Sequence, residues 1–249
     1  MLPERRTARE EPLVIKQDVF STLSQSRLFQ GAPAAAITMA AEAASWRRFA
    51  AGSDMFREGE SGEAVYLIAS GRVKIARCNL DGRERILTIL TSPEVVGEMA
   101  LVTNSPRAAT AHCLDDVLAL AIYREELRVV LDRYPNVLWN LAAILATRLA
   151  ETNREVEILS FSSTRACVAH ALHTLHLKGA FVRGKDDELT IEFTHQDLAN
   201  RTGNSRETIT RVLRVLEEEG VVKTRPGIIV LRRPEVLEEI IYGLHDADE

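Results

Sequence analysis

Apolar and polar positions follow three different patterns along this chain. Between Trp46 and Ile122, short apolar or alternating runs are separated by glycines, which is typical of antiparallel strands. From Leu138 to Leu159, apolar residues recur every three or four positions without Gly or Pro, which predicts one long amphipathic helix. From Thr194 to Gly220, the spacing predicts two short helices joined at Gly203. The chain is therefore predicted to be an α+β protein.

The two short helices have clear start and stop signals. Thr194 and Ser205 are each placed to cap a helix N-terminus, and Gly203 suits the positive φ of a tight turn. The second helix has an apolar face, predicted to pack inward, formed by Ile209, Val212, Leu213 and Leu216. Its other face is polar and cationic, with Arg206, Glu207, Thr210, Arg211 and Arg214.

This polar face has the chemistry of base recognition. Arginine can donate two hydrogen bonds to a guanine, and glutamate can accept one from a cytosine. The alternative is a solvated helix face with an ion pair between Glu207 and Arg211, four residues apart. Two alternating runs, Val221 to Thr224 and Ile228 to Leu231, follow as a hairpin, so the segment is predicted to be a winged helix-turn-helix.

The charge of this segment supports DNA binding. From position 201 to 233 there are eight basic and four acidic residues, in a chain whose net charge is −5. Such local asymmetry is typical of phosphate binding. The predicted partner is double-stranded DNA, and the candidate contact residues are Thr194, Gln196, Ser205, Arg206, Glu207, Thr210 and Arg211.

The strand-rich part predicts an antiparallel barrel or jelly roll. Its expected strands are Asp54 to Phe56, Ala64 to Ser70, Val73 to Arg77, Ile86 to Leu90, Thr110 to His112 and Leu118 to Ile122. Each of Gly59, Gly62, Gly71 and Gly82 is interpreted as a hairpin-turn glycine, and Asp81-Gly82 in particular has the sequence of a turn.

Length and composition limit the other classes. A chain of 249 residues with 46% hydrophobic residues can form two domains with separate cores. It has neither an apolar stretch of membrane-spanning length nor a secretory signal, so a cytoplasmic protein without a membrane partner is expected. Cys78, Cys113 and Cys167 are widely spaced and are interpreted as core thiols, which argues against an iron-sulfur cluster. No metal site is predicted.

One segment of the barrel carries distinctive chemistry. Gly97-Glu98 precedes a short helical stretch, and Pro106-Arg107-Ala108-Ala109-Thr110 follows. Helix N-terminal amides, an arginine for a phosphate and a carboxylate for a ribose hydroxyl form a cradle for a small cyclic phosphodiester. The segment resembles the phosphate-binding cassette of cyclic-nucleotide-binding domains.

That resemblance implies a role for each cassette residue. Arg107 would pair with the cyclic phosphate and Glu98 would bind the ribose hydroxyl. Gly97 and the amides of Ala108 and Ala109 would complete the site, and Met99 and Ala100 belong to the same candidate set. Many bacterial receptors have Ser or Thr where Ala108 stands, so one hydroxyl contact is missing here.

Two alternatives remain for the barrel. Arg107 and Glu98 could pair with each other in a barrel that is empty or binds another ligand. A haem protein would need an axial ligand, and His112, the histidine of the barrel segment, is better explained as a packed or hydrogen-bonded residue.

The long helix has a seam typical of a coiled coil, with Leu138, Leu141, Leu145, Leu149, Thr152, Val156 and Leu159. A long amphipathic helix could instead lie on its own barrel, but a seam this regular more often joins two chains. We expect residues 138–159 to form a homodimer, since a two-fold dimer also suits the reading of a DNA palindrome. The Ser/Thr-rich segment from Phe161 to Thr164 is interpreted as a short hinge before a helix that starts near Arg165.

The run SRETITRVLRVLEEEGVV resembles the recognition helix of the Crp/Fnr family of bacterial transcription regulators, in particular the cyclic-AMP receptor branch. The resemblance implies that Arg206 contacts the first G of a TGTGA half-site, Glu207 the central region and Arg211 the second G. It further implies that Thr152 bonds the adenine amino group. Asn153 stands where the family often has a serine contributed across the dimer interface.

The resemblance implies cyclic AMP as the effector and RNA polymerase as a partner. It also implies a division of the chain into four segments. These are an N-terminal tail with the start of the first helix at 1–27, a cyclic-nucleotide-binding jelly roll at 28–135, a dimerisation helix at 136–160 and a winged helix-turn-helix domain at 161–249. The alternative function is an effector-independent Crp/Fnr-type factor whose barrel only supports dimerisation. No catalytic motif is present, so an enzyme is not expected.

Overall fold

The computed structural model describes residues 14–79, 82–184 and 187–243, and the side chains from residue 19 onward within them. Residues 1–13 of the predicted tail and Asp81 of the predicted turn lie outside the described residues, as does the acidic end from His245 to Glu249, which is expected to be a solvated tail. A helix begins at Val14, within the segment 1–27. Within the described part, none of the helices is both long and apolar enough to cross a membrane.

The N-terminal domain is a jelly roll of two facing antiparallel sheets. Its described residues form eight strands, β1 (Ser45–Phe49), β2 (Asp54–Phe56), β3 (Ala64–Ser70), β4 (Arg72–Cys78), β5 (Glu84–Thr91), β6 (Val95–Val96), β7 (Thr110–Cys113) and β8 (Val117–Tyr123). One sheet has the order β1-β8-β3-β6 and the other β2-β7-β4-β5. All six predicted strands are present within two residues of their expected ends, and β1 and β6 were not predicted.

Apolar residues from both sheets meet in the barrel interior. Ile68, Val96 and Ala119 of the first sheet pack against Val73 and Ala111 of the second. This follows from the alternation of side chains along each strand, which places every second residue inside. Cys113 and Cys167 are buried as predicted, but Cys78 is exposed at the end of β4, so its interpretation as a core thiol was wrong.

Helices cover the outer face of the first sheet. They are α1 (Val14–Gln25), α2 (Ala34–Ala43), α4 (Arg124–Arg133) and the start of α5 (Pro135–Phe161), while α3 (Glu98–Thr103) lies between β6 and β7. Pro135 occupies the first turn of α5, where its missing N–H is not needed. The predicted long helix is therefore present as one continuous element.

The C-terminal domain follows a two-residue connection. Its elements are α6 (Thr164–Leu177), β9 (Val182–Arg183), β10 (Leu189–Glu192), α7 (His195–Thr202), α8 (Arg206–Glu218), β11 (Val222–Arg225), β12 (Ile228–Leu231) and α9 (Pro234–Ile241). The predicted hairpin is β11 and β12, which belongs to a four-stranded sheet of order β11-β12-β10-β9. Ser163 caps α6 by accepting a hydrogen bond from the amide of Ala166.

The two domains share an apolar contact. Ile86 and Ile89 of β5 are fully buried in the same cluster as Leu172 of α6 and Leu198 of α7. The side of the barrel formed by β5 therefore packs against the helix-turn-helix unit.

The structure decides between the four glycines predicted in hairpin turns. Gly82 has a positive φ between the paired strands β4 and β5, as predicted. Gly59 and Gly71 also have positive φ, but the strands on either side of each lie in different sheets, so neither is in a hairpin turn. Gly62 lies outside a turn, and a Cβ there would collide with Ala100 of α3. Its interpretation as a hairpin-turn glycine was wrong, because this position needs glycine for close approach to α3.

Candidate functional site

A cavity of about 830 Å³ lies between the second sheet, α5 and the C-terminal domain. Eight of the nine predicted effector-site residues line it: Gly97, Glu98, Met99, Ala100, Arg107, Ala108, Ala109 and Thr152. Met99 is exposed and Ala100 is buried. The ninth, Asn153, is exposed on α5 and is not among the lining residues.

Arg107 is almost completely buried in the cavity wall, with 4% of its surface exposed. Its Nη1 donates to the carbonyl of Gly97 at 2.8 Å and its Nη2 to that of Ala64 at 2.7 Å. The guanidinium lies 4.1 Å from the ring centre of Phe56, a cation–π contact. Its Nε is buried without a hydrogen-bond partner in the described structure.

The environment of Arg107 leaves a positive charge poorly solvated. Burial lowers the pKa of Arg107 from its ordinary value, partly offset by the hydroxyl of Tyr66 and the carboxylate of Glu98. An unpaired buried cation with an unsatisfied donor favours an anionic ligand. Gly97 has a φ of +86°, and a Cβ there would collide with Nη1 of Arg107. Glycine at 97 is therefore required for the arginine to occupy this position.

Glu98 pairs with a residue that the sequence did not single out. It is 4% exposed, and its Oε1 lies 2.6 Å from Nη1 of Arg148 on α5. Arg148 also contacts Glu94 at 3.2 Å and donates to the carbonyl of Val95 at 2.6 Å. The alternative in which Arg107 pairs with Glu98 is therefore not the arrangement present.

Arg148 could have been suspected from its place in the helix pattern. It lies one turn before Thr152 on the same face of α5, and the hydroxyl of Thr152 donates to its carbonyl at 2.8 Å. Burial would lower the pKa of Arg148, but Glu98 and Glu94 raise it above its ordinary value. The available signal was a charged residue one helical turn before the polar seam residue Thr152.

The seam of α5 divides into two faces. Leu138, Leu149 and Val156 are exposed, by 50%, 62% and 58%. Leu141, predicted on the same seam, is 2% exposed and packs on the N-terminal domain with Leu120. Its assignment to the dimer seam was wrong, because one face of the first turns of α5 covers the barrel.

The helix-turn-helix has the predicted local geometry. The hydroxyl of Thr194 accepts a hydrogen bond from the amide of Asp197, whose carboxylate accepts from the amide of Thr194, forming a capping box. Ser205 caps α8 by accepting from the amide of Thr208. Gly203 ends α7 with a φ of +73°. Gln196 is exposed on α7 and donates to the side-chain oxygen of Asn200 at 2.9 Å.

The predicted contact face of α8 is open. Arg206, Glu207, Thr210 and Arg211 are all exposed. No ion pair joins Glu207 and Arg211; the pKa of Glu207 is lowered by hydrogen bonds from its own amide and from Ser205. Thr210 lies 2.9 Å from Nδ1 of His195, which joins the two helices. Neither Arg206 nor Arg211 forms an ion pair with a residue that the structure describes.

The basic surplus is smaller than the sequence count suggested. Arg201 is 4% exposed and pairs with Glu155 of α5, so it does not add to the outer surface. Arg225 and Arg232 both contact Glu188, at 2.8 and 3.5 Å. Among the arginines that the structure describes in 201–233, the two without an ion pair, Arg206 and Arg211, therefore both lie on α8.

A cavity-bearing jelly roll joined by a long helix to a winged helix-turn-helix defines a class: DNA-binding regulators with a small-molecule domain. Comparison with protein families makes this specific. Residues 46–134 match the cyclic nucleotide-binding domain, and residues 168–240 match the Crp-like helix-turn-helix domain.

The chain is 39% identical over 219 residues to the cyclic AMP receptor protein of Thermus thermophilus, covering 88% of this chain and 98% of the relative. It is 30% identical over 215 residues to the CRP-like cAMP-activated global transcriptional regulator of Mycobacterium tuberculosis, covering 86% and 96%. The solved structure of the c-di-GMP responsive global regulator CLP of Xanthomonas campestris has a TM-score of 0.68 at 27% identity, covering 80% of this chain and 99% of that one.

This chain belongs to the Crp/Fnr family of DNA-binding transcription regulators. The family consists of regulators, not enzymes, and its members bind DNA and work as dimers. The matched nucleotide-binding domain supports a nucleotide as the effector.

Proposed function

We propose that this protein is a cyclic-AMP-responsive transcription regulator that binds a TGTGA-type palindrome as a homodimer. The observation that carries the proposal is Arg107, a cation with 4% exposure in the cavity wall whose Nε lacks a partner in the described structure. A buried, incompletely satisfied guanidinium is suited to a phosphate. The relative of 39% identity is named a cyclic AMP receptor protein, and that of 30% identity a CRP-like cAMP-activated global transcriptional regulator.

The residues around Arg107 fit a cyclic nucleotide. Gly97 leaves the space that a Cβ would fill, and the carboxylate of Glu98 is available to a ribose hydroxyl while Arg148 balances its charge. Met99, Ala100, Ala108 and Ala109 line the same wall. When bound, the nucleotide would supply the anionic phosphate that Arg107 lacks.

The adenine contact would come from α5. Both Thr152 and Asn153 are exposed on the same turn, but Thr152 lines the cavity and Asn153 does not. In this proposal Thr152 bonds the adenine amino group in its own protomer, and Asn153 reaches the ligand of the second protomer. Selectivity for adenine over other bases then depends on the dimer.

The proposed dimer uses the exposed side of α5. Leu138, Leu149 and Val156 are each at least half exposed, which is costly for an apolar stripe in water. A second copy of α5 would cover them. The proposed interface is the segment 138–159 without Leu141. The proposed domains are an effector domain at 28–135, a dimerisation helix at 136–160 and a DNA-binding domain at 161–249.

The proposed operator contacts are those of α8. Arg206 and Arg211 are exposed and free of ion pairs with described residues, so each could donate two hydrogen bonds to a guanine. Glu207 would accept from a cytosine amino group, while Ser205, Thr194, Thr210 and Gln196 would lie near the phosphates. RNA polymerase is the further proposed partner once the dimer is bound.

Fluorescence anisotropy tests the proposal. A labelled duplex with TGTGA-N6-TCACA is titrated with protein at fixed salt, with and without cyclic AMP. We expect at least a tenfold gain in operator affinity with the nucleotide, equal to about 1.4 kcal/mol of coupling. Arg107→Gln should remove the gain, whereas Arg77→Gln, at an exposed arginine of the same barrel, should retain it.

A second ligand is worth a parallel titration, because the CLP neighbour is described as c-di-GMP responsive. A cavity of about 830 Å³ is large enough for ligands bigger than a mononucleotide. A gain with cyclic di-GMP alone would replace cyclic AMP in the proposal. Tight binding without any nucleotide would support the effector-independent alternative, and absence of specific binding would contradict the operator assignment.

A further inference from the structure

One carboxylate joins the helix of the effector cavity to the helix-turn-helix. Glu155 lies on α5, three residues after Thr152, and its Oε1 contacts Nη1 of Arg201 on α7. The same oxygen lies 3.7 Å from Nη2 of Arg85 on β5. Three elements from different parts of the chain therefore meet at one side chain.

The partner on α7 is deeply buried. Arg201 is 4% exposed, and Nη1 also donates to the carbonyl of Ile86 on β5 at 3.4 Å. Glu155 is 20% exposed. Loss of one member of such a pair leaves the other charge buried without compensation, so the contact is sensitive to substitution.

The turn of the helix-turn-helix lies close to Arg85, in the same region of the structure. A Cβ on Gly203 would lie 2.9 Å from Nη1 of Arg85. Below Arg201, Ile86 and Ile89 of β5 are buried against the C-terminal domain. The first helix of the motif is thus fixed on β5 by an apolar contact and by charges that converge on Glu155.

The orientation held in this way leaves the second helix open. Arg206, Glu207 and Arg211 are all exposed, whereas Arg201 is buried in the contact with β5. Glu155, Arg201 and Thr152 also line the same cavity. An occupant of the cavity would therefore lie against the surface that positions the DNA-binding domain.

We propose that Glu155 is a positioning residue: through Arg201 and Arg85 it holds α7 against β5 and so sets the orientation in which α8 can contact DNA. This inference rests on the proposed function for its link to the effector, but the domain contact itself is testable without ligand or DNA. Glu155 is assigned no contact with the ligand.

The first experiment measures amide hydrogen exchange of the full chain without ligand. Glu155→Gln keeps the shape and removes the charge, and Asp132→Asn breaks an exposed ion pair with Arg128 on α4 as the matched control. For Glu155→Gln we expect exchange at least about fivefold faster in 195–202 and 84–91, with α4 and β8 unchanged. The control should match the parent protein throughout.

Either of two results would overturn the domain contact. One is exchange in 195–202 that stays within about twofold of the parent, because the apolar contact alone would then hold α7. The other is a uniform increase in exchange rate across the barrel and the DNA-binding domain, because such an increase would show only that the whole protein is less stable.

A second experiment asks whether orientation affects DNA binding. At saturating cyclic AMP, operator affinity should fall about fivefold in Glu155→Gln and in Arg85→Gln. The operator affinity of the double variant should lie within about twofold of that of either single variant, because both substitutions remove the same contact. Unchanged affinity together with faster exchange overturns the link to DNA. If the parent protein itself shows no response to cyclic AMP, the proposed function fails while the exchange result still decides the contact.

Discussion

Arg148 and Glu98 form an ion pair of 2.6 Å that joins α5 to the start of α3. Glu98 is almost fully buried, so the long helix supplies the charge that makes a carboxylate tolerable in the cavity wall. The cassette is therefore incomplete without α5, and a change in the position of that helix would alter the proposed ribose contact directly.

Substitution of Arg148 should weaken nucleotide binding. Arg148→Gln leaves Glu98 buried without its cation, and we expect the Kd for cyclic AMP to rise by about 30-fold or more, since truncating a buried charge pair costs about 2–5 kcal/mol. Isothermal titration calorimetry provides the measurement. Arg128→Gln, at an arginine whose side chain is 72% exposed on α4, is the control and should bind as the parent does. Equal affinities for the two variants would contradict the role given to Arg148.

The arginines of α8 should differ in their contribution to base discrimination. Arg206→Ala and Arg211→Ala should each lower discrimination of the operator against a duplex with the corresponding guanine replaced, by about 1–3 kcal/mol. Arg214→Ala should leave discrimination unchanged, because Arg214 is 80% exposed and pairs with Glu218 at 3.1 Å. Competition anisotropy with single-base variants measures this. A loss of affinity that is the same for every duplex would assign the arginine to phosphate instead.

Two leucines of α5 should respond differently to a charge. Leu149→Asp, at an exposed position, should give a folded monomer, because it places a charge in the proposed dimer interface. Leu141→Asp should destabilise the N-terminal domain, since Leu141 is 2% exposed in its core. Analytical ultracentrifugation and thermal unfolding separate the two effects. Val129→Asp, at an exposed apolar residue of α4, should remain dimeric, and a dimeric Leu149→Asp would argue for another interface.

The free energy of unfolding should decrease as the pH falls from 6.5 to 4, because of a buried histidine. Burial, reinforced by the charges of Arg201 and Arg154, lowers the pKa of His170 from 6.5 to about 4. Between these values the unfolded chain binds a proton that the native chain does not. The native state therefore keeps its full stability above pH 6.5 and loses up to about 3 kcal/mol as the pH falls to 4.

Urea unfolding between pH 4 and 7 measures this dependence. His170→Gln should reduce the slope of unfolding free energy against pH in that window. Burial also lowers the pKa of His173, so a smaller slope of the same sign should persist in the single variant and decrease further in the double variant. An unchanged slope in both variants would show that other groups dominate.

Local features were predictable because they depend on residues close together in the chain. The caps Thr194 and Ser205 and the positive φ of Gly203 follow from side-chain and backbone chemistry within three residues. The strands of the barrel and the polar face of α8 follow from periodicity in the same way. The sequence by itself thus determined six of the eight described barrel strands, the long helix, the helix-turn-helix with its hairpin, the order of these elements and the type of residue offered to each site.

Tertiary structure decided which of those residues meet, because the contacts join segments far apart in the chain. Arg148 reaches Glu98 across fifty residues, and no local pattern specifies that pairing. Leu141 faces the barrel although it fits the seam, since the docking of α5 determines which side is covered. Arg201 is counted as basic surface by sequence but is buried against β5. Periodicity shows that a helix has an apolar or charged face; only packing determines what that face contacts.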